Sequence, residues 1–186
     1  TSGGQSCTPK HKHGTAKRRS WRKLHIGIDA DTGEIVAFDL TDKDVDDASH
    51  VAPLLDQLAE APASFMGDGA YDRACVLEGV LAKNPNAKLI APPCKGAVTG
   101  PTAATSPTQR DQHVLAINAH GRMHWQNTTG YNKRSKVETS IGCYKRVIGD
   151  SLKSRKDARR VTEVKIAVKT LNRMGPCCSD AGEFGF

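Results

Sequence analysis

The chain has 186 residues, of which 38% are hydrophobic and 5% aromatic, and this length and composition predict one α/β domain with a modest core. No stretch approaches about 18 uninterrupted apolar residues, so no membrane span is expected. No signal peptide is visible either. The six cysteines show no CxxC pair and no regular framework, so a reduced, cytosolic chain is expected.

The net charge of +7 is distributed unevenly along the chain. Residues 1–28 carry seven Lys and Arg and no acid, and residues 131–173 carry 13 against four acids. Residues 29–130 carry seven Lys and Arg against 14 acids, so two basic segments flank an acidic middle. This arrangement predicts a polyanionic partner such as DNA, because basic side chains that neutralise phosphates release counterions.

The first half of the chain predicts an arm, a hairpin and a helix. Residues 1–23 are rich in Gly, Ser, Lys, Arg and His without apolar periodicity, which indicates a basic arm. Residues 24–30 and 34–41 alternate apolar and polar positions around the turn sequence Asp31-Thr32-Gly33, so they predict a β-hairpin. Apolar residues at helical spacing predict a helix over residues 44–60.

A strand, a helix and a second strand are predicted next. The apolar run at residues 64–67 leads to Asp68, a helix is predicted near residues 72–83, and a strand at residues 87–91. This order implies a right-handed parallel crossover. A carboxylate at the carboxyl end of a strand, followed by small residues, leaves room for a metal ion and an approaching phosphate, so Asp68 is a candidate ligand.

The remaining segments include two predicted to lack regular structure. Residues 95–107 are rich in Thr, Ala, Gly and Pro and predict an exposed, mobile insertion. Residues 109–126 predict a helix broken near Gly121, and residues 158–174 predict the last helix. Residues 175–186 predict a disordered tail.

Four residues in the last third, Tyr131, Arg134, Glu138 and Lys145, would form one stripe on an α-helix over about residues 132–148. An apolar arc beside the stripe would pack on the core. The carboxylate can bind a divalent cation, while the Arg and Lys side chains can contact phosphate oxygens. The stripe therefore favours phosphodiester chemistry, and the alternative is a charged helix face that is simply solvated.

The spacing Y-(2)-R-(3)-E-(6)-K resembles the signature of bacterial insertion-sequence transposases of the DDE type. The resemblance covers roughly residues 17–174 and includes the stretches RSWRKLH at residues 19–25 and GDGAYD at residues 67–72. It implies a ribonuclease H-like fold, a mixed sheet flanked by helices, over residues 24–174.

The resemblance also implies roles for individual residues. Asp68 matches the second catalytic Asp and Glu138 the catalytic Glu, and both would bind Mg²⁺ or Mn²⁺. Tyr131, Arg134 and Lys145 match positions that contact transposon-end DNA. The implied reaction is metal-dependent cleavage of transposon ends and strand transfer into target DNA, in a homodimer or larger assembly. The implied location is the nucleoid within the bacterial cytoplasm.

One member of the DDE set has no counterpart in the sequence. In this family the first catalytic Asp lies on the first strand, before the basic arm, and residues 1–23 contain no Asp. We therefore expect a fragment that lacks the first strand and is inactive alone. Asp29 could substitute in part as a ligand, although its position favours a role in the hairpin turn. The alternatives are a non-catalytic DNA-binding remnant and a ribonuclease H-like nuclease.

Overall fold

Two small sheets and six α-helices make up the described part of the chain, residues 21–175 of the computed structural model. The strands are β1 (Arg22–Ile28), β2 (Ile35–Asp42), β3 (Ser64–Met66) and β4 (Lys88–Ile90). The α-helices are α1 (Val51–Leu55), α2 (Ala74–Lys83), α3 (Gln109–His120), α4 (Arg122–Thr129), α5 (Ser135–Val147) and α6 (Asp157–Met174). Short 3₁₀ turns cover Ala48–His50, Gly69–Tyr71 and Tyr131–Arg134. The predicted mixed α/β class is confirmed.

Strands β1 and β2 form the predicted antiparallel hairpin, with Ile26 opposite Phe38. The turn between them is closed by Asp29, whose Oδ1 accepts hydrogen bonds from the backbone N–H groups of Asp31 and Thr32, each at 2.8 Å. The hydrogen bond from Thr32 and, to a smaller extent, that from Asp31 lower the pKa of Asp29 below its ordinary value. The Asp29 carboxylate therefore stabilises the turn, as its position in the sequence indicated.

Strands β3 and β4 pair in parallel, with Phe65 opposite Leu89, and α2 connects them. The predicted parallel crossover is confirmed. The backbone N–H of Gly67 donates to the carbonyl of Ile90 at 3.1 Å, which continues the pairing one residue beyond β3. The pairing thus extends to the residue immediately before Asp68.

Two apolar clusters form the core. The first lies between α1, α2 and the β3–β4 sheet and includes Val51, Leu55, Val76, Val80 and Leu89. The second lies between the hairpin, α5 and α6 and includes Ile35, Tyr144, Val164, Val168 and Leu171. Each sheet is therefore covered by its own pair of helices, because one face of each is apolar.

The predicted helix over residues 44–60 is wrong in its extent. The helical part begins with the 3₁₀ turn at Ala48 and ends at Leu55. Before it, Asp46 binds Ser49 through both its side chain and its carbonyl, which makes a local turn. After it, the amides of Gln57 and Leu58 bond three residues back, so the α-helical ladder does not continue.

The segments after β4 agree with the predicted boundaries. Residues 95–107 contain no helix or strand and are mostly exposed, whereas their mobility stays a prediction. Helices α3 and α4 are separated at Gly121, whose φ of 83° breaks the helix as expected. Most of the predicted basic arm (residues 1–23) and tail (residues 175–186) lies outside the described residues. None of the described helices is long and apolar enough to cross a membrane.

Candidate active site

Asp68 lies immediately after the strand pairing of β3, at the start of the 3₁₀ turn Gly69–Tyr71. Its Oδ1 accepts a hydrogen bond from the backbone N–H of Ala70 at 2.9 Å, which caps the turn. Its Oδ2 is directed toward Arg134. The cap thus fixes one carboxylate oxygen and leaves the other for a second partner.

Tyr71 holds the backbone beside Asp68 in place. Its ring packs on Gly67, where an added Cβ would lie only 2.6 Å from the Tyr71 Cδ2 atom. It also makes an edge contact with Phe65, with ring centroids 5.6 Å apart. Burial raises the pKa of Tyr71, and the neighbouring acids add to this, so its phenol stays neutral. The only sequence signal at Tyr71 is its place within the GDGAYD stretch, which did not predict this packing role.

The predicted single helix over residues 132–148 is wrong at its N-terminal end. Gly130 adopts a left-handed conformation with φ of 72°, and the 3₁₀ turn Tyr131–Arg134 follows it. The α-helix begins only at Ser135. In a 3₁₀ turn, side chains three residues apart lie on the same side, so Tyr131 and Arg134 still face one direction.

Arg134 joins the two predicted catalytic carboxylates. Its Nη1 donates to Glu138 Oε1 at 2.6 Å, and its Nη2 lies 3.4 Å from Asp68 Oδ2. Burial lowers the pKa of Arg134, but the hydrogen bond to Glu138 and the nearby negative charges outweigh it and raise the pKa above its ordinary value. The guanidinium is therefore a permanent cation held between two carboxylates that are distant in sequence.

Tyr131 completes this group. Its ring lies 5.2 Å from that of Trp125, measured between centroids, at an angle of 41°. Burial raises the pKa of Tyr131, the Arg134 cation lowers it, and the Asp68 charge raises it further. The net effect is upward, so the side chain carries a neutral O–H group that can donate a hydrogen bond.

Lys145 does not join the group. Its side chain is exposed and makes no hydrogen bond or ion pair with the residues that the structure describes. Seven residues of α-helix separate it from Glu138, a rise of about 10 Å. The structure therefore brings together Asp68, Tyr131, Arg134 and Glu138, whereas the part of Lys145 in DNA binding stays a prediction.

The carboxylates of Asp68 and Glu138 have the hard oxygen atoms that Mg²⁺ and Mn²⁺ prefer. Both already converge on one cationic group, the guanidinium of Arg134, so their placement fits a divalent cation with two protein ligands. Within residues 21–175, no cluster of three or more Asp, Glu, His or Cys side chains could hold a metal ion. A complete set of three carboxylates is therefore not formed by the described residues.

The similarity of this protein to a known family extends over most of the chain. No solved structure matches the chain. The model of the family described as "Transposase DDE domain" matches residues 4–173, a range that includes Asp68, Tyr131, Arg134, Glu138 and Lys145. The chain belongs to the transposase DDE domain family.

Proposed function

We propose that the chain is the catalytic domain of an insertion-sequence transposase that cleaves transposon-end DNA and transfers the freed strand to target DNA. The observation that carries this proposal is the bridge from Arg134 to both Asp68 and Glu138, at 3.4 and 2.6 Å. It unites two acids and a phosphate-binding type of side chain in one exposed site. That combination suits phosphodiester cleavage and strand transfer, in which carboxylates hold metal ions and cationic side chains contact the phosphate.

Asp68 and Glu138 would hold Mg²⁺ or Mn²⁺, and such an ion, when bound, supplies charge for the reacting phosphate and activates an attacking hydroxyl. The other groups act on the DNA backbone. Arg134 offers planar paired donors to phosphate oxygens, and the neutral phenol of Tyr131 offers a single donor beside them. These two residues would orient the scissile strand against the carboxylates.

The ribonuclease H-like architecture is part of the proposal. The described residues contain an antiparallel hairpin and a separate parallel pair. One further strand that paired with both β1 and β3 would join them into a single mixed sheet. We propose that such a strand, outside the described residues, carries the first catalytic Asp, and we expect no transposition by the chain without it.

The basic residues of the C-terminal helices support DNA as the partner. Several are exposed and make no ion pair within the described part of the chain: Lys145, Arg146, Lys165, Lys169 and Arg173. Cations that have no acidic partner are available for phosphates, and each contact made would release counterions. We propose that these helices bind transposon-end and target DNA, within a homodimer or larger assembly at the bacterial nucleoid.

Cleavage of labelled DNA from the ends of the parent element tests this function. The chain is compared with a version extended upstream by a strand that carries an Asp, in Mg²⁺ and in Mn²⁺. We expect cleavage and strand transfer only in the extended protein. In that protein, Asp68→Asn and Glu138→Gln should each reduce cleavage by more than about 100-fold, because charge stabilisation at the reacting phosphate is lost.

Glu60→Gln is the matched control for charge, since Glu60 is exposed and lies outside the site. It should cleave like the unaltered extended protein. DNA binding should change little in all three variants, because the phosphate contacts come from basic residues. Full cleavage by Asp68→Asn or Glu138→Gln would refute the assignment of the site.

A non-catalytic DNA-binding remnant is the second candidate, and the lack of a third carboxylate near Asp68 and Glu138 among the described residues favours it. This candidate predicts salt-dependent DNA binding that survives Glu138→Gln. It also predicts no cleavage by the extended protein. Cleavage without strand transfer would instead indicate a ribonuclease H-like nuclease.

A further inference from the structure

Tyr131 is held in position by a chain of contacts through the interior. Its ring packs on Trp125, which is only 1% exposed. The indole Nε1–H of Trp125 donates to His113 Nδ1 at 2.8 Å. The other ring nitrogen of His113, Nε2, lies 3.0 Å from the backbone carbonyl oxygen of Leu89 in β4. Three side chains therefore connect the site to a strand of the β3–β4 sheet.

The chemistry of these contacts fixes the protonation state of His113. The indole N–H of Trp125 is a donor only, so Nδ1 of His113 must be an unprotonated acceptor. The carbonyl of Leu89 is an acceptor only, so Nε2 must carry the proton. Both bonds can form at once in a single state, the neutral Nε2–H tautomer.

Strand β4, where this series of contacts ends, also determines the position of Asp68. Leu89 pairs with Phe65 of β3, and the amide of Gly67 bonds to the carbonyl of Ile90. Asp68 follows directly. The β3–β4 sheet therefore helps to fix the positions of both Asp68 and Tyr131.

A second tie connects α4 to the same region. The Arg122 Nη2 donates to the carbonyl of Pro93 at 2.8 Å, and Pro93 follows β4 closely. Arg122 and Trp125 lie three residues apart on α4, which places them on neighbouring positions of one helix face. Helix α4 is therefore attached to the β4 segment at two points, and the 3₁₀ turn with Tyr131 and Arg134 follows it through Gly130.

We propose that His113 and Trp125 are positioning residues that fix Tyr131, and through the same turn Arg134, opposite Asp68. Their role in DNA binding rests on the function proposed above. The geometric role does not, since it concerns only the protein. The edge contact between the rings of His113 and Trp125, with centroids 5.4 Å apart, adds packing to the hydrogen bond.

Nitrogen-15 NMR of the histidine rings in the unaltered protein tests the protonation state of His113. We expect His113 as the neutral Nε2–H tautomer, and one slowly exchanging indole N–H from Trp125. Trp21→Phe removes the other indole signal, because the chain has two Trp residues. An Nδ1–H tautomer or a charged His113 would overturn the proposal.

Three substitutions test the positioning step. His113→Leu removes both hydrogen bonds, Trp125→Phe removes the indole donor together with part of the ring that packs on Tyr131, and His113→Asn keeps an acceptor near the place of Nδ1. The first two should shift the ring signals of Tyr131 and weaken binding to a random-sequence DNA duplex by about fivefold, the equivalent of one hydrogen bond. His113→Asn should restore most of both properties.

Unchanged amide signals in the β1–β2 hairpin and α6 would show that each variant folds. If His113→Leu does not fold, Trp125→Phe and His113→Asn still decide the question. Unmoved Tyr131 signals in Trp125→Phe would overturn the positioning role, and a displaced Tyr131 with unaltered DNA affinity would overturn the part of these residues in DNA binding. Failure of the unaltered chain to bind DNA would refute the proposed function, and the NMR results would then still test the geometric role.

Discussion

At the scale of single residues, Arg134 holds a position that a divalent cation would also favour. Its guanidinium contacts Glu138 at 2.6 Å and Asp68 at 3.4 Å. Because both carboxylates are well exposed, these ion pairs are weak, each worth about 0 to 1 kcal/mol. A divalent cation or a DNA phosphate can therefore displace one side of the bridge at small cost.

Removal of this guanidinium should tighten metal binding in the absence of DNA. We expect Arg134→Ala to bind Mn²⁺ about 3- to 10-fold more tightly, because a competing positive charge is lost. Mn²⁺-induced broadening of the amide signals of Asp68 and Glu138 measures the affinity. Lys145→Ala removes an equal charge at a position distant from the two carboxylates and should leave the Mn²⁺ affinity unchanged. Equal effects of the two substitutions would contradict the bridge.

At the scale of elements, Asp111 links the start of α3 to the preceding loop. The side chain is almost fully buried. Its Oδ1 accepts from the backbone N–H of Gly100 at 2.7 Å, and its Oδ2 accepts from the backbone N–H and hydroxyl of Thr108. The hydrogen bond from Gly100, followed by those from Thr108, lowers the pKa of Asp111. The ionised form is therefore favoured by folding.

This lowered pKa predicts a dependence of stability on pH. The contribution of Asp111 is complete above its ordinary pKa of about 3.9 and is lost as the pH falls through the lower folded value. Asp111→Asn should lower the unfolding free energy at pH 7, because its amide N–H₂ would face the donors of Thr108. The difference from the unaltered chain should shrink below about pH 4. Urea unfolding at several pH values measures it, with Glu60→Gln as the control, and a constant difference would contradict the prediction.

Several elements could be predicted from short stretches of sequence alone. The Asp31-Thr32-Gly33 turn, the break at Gly121 and the strand before Asp68 each depend on a few adjacent residues. The sequence also placed Arg134 and Glu138 on one helical stripe, where residues four apart are neighbours, and the structure joins them in an ion pair. These parts of the candidate site could be predicted without tertiary information.

Other features depend on contacts between distant residues. A 3₁₀ turn and an α-helix favour similar residues, so the change at Ser135 was not visible in the apolar spacing. The helix expected over residues 44–60 ended early because backbone bonds near Gln57 take a tighter geometry. The chain of contacts from His113 through Trp125 to Tyr131 has no periodic signature, since it depends on how α3, α4 and β4 pack together.

At the scale of the whole molecule, Asn172 attaches the last helix to the hairpin. Its Oδ1 accepts from the backbone N–H of Ile35 at 3.0 Å, and its Nδ2 donates to the carbonyl of the same residue at 2.9 Å. A single amide side chain thus satisfies both backbone groups of one residue in β2. Helix α6 is thereby fixed to the start of the strand as well as to the core.

Asn172→Asp should destabilise the fold by about 1 to 3 kcal/mol, because the carbonyl of Ile35 loses its donor and a charge enters a partly buried position. Urea unfolding measures the loss, and faster hydrogen exchange at the Ile35 amide would locate it. Asn118→Asp makes the same chemical change at an exposed residue of α3 and should have little effect. Comparable losses in both variants would show that the amide of Asn172 has no special role.

The bonds of Asn172 also determine how the hairpin can meet other chains. On β2, Asn172 covers Ile35, and Gln57 Oε1 accepts from the backbone N–H of Phe38 at 3.2 Å. No side chain within residues 21–175 binds the backbone of β1 in this way. Of the two edges of the hairpin, β1 is therefore the one left open to a further strand. This is the edge at which the proposed further strand would pair, so a chain without that strand presents β1 to strands of other molecules.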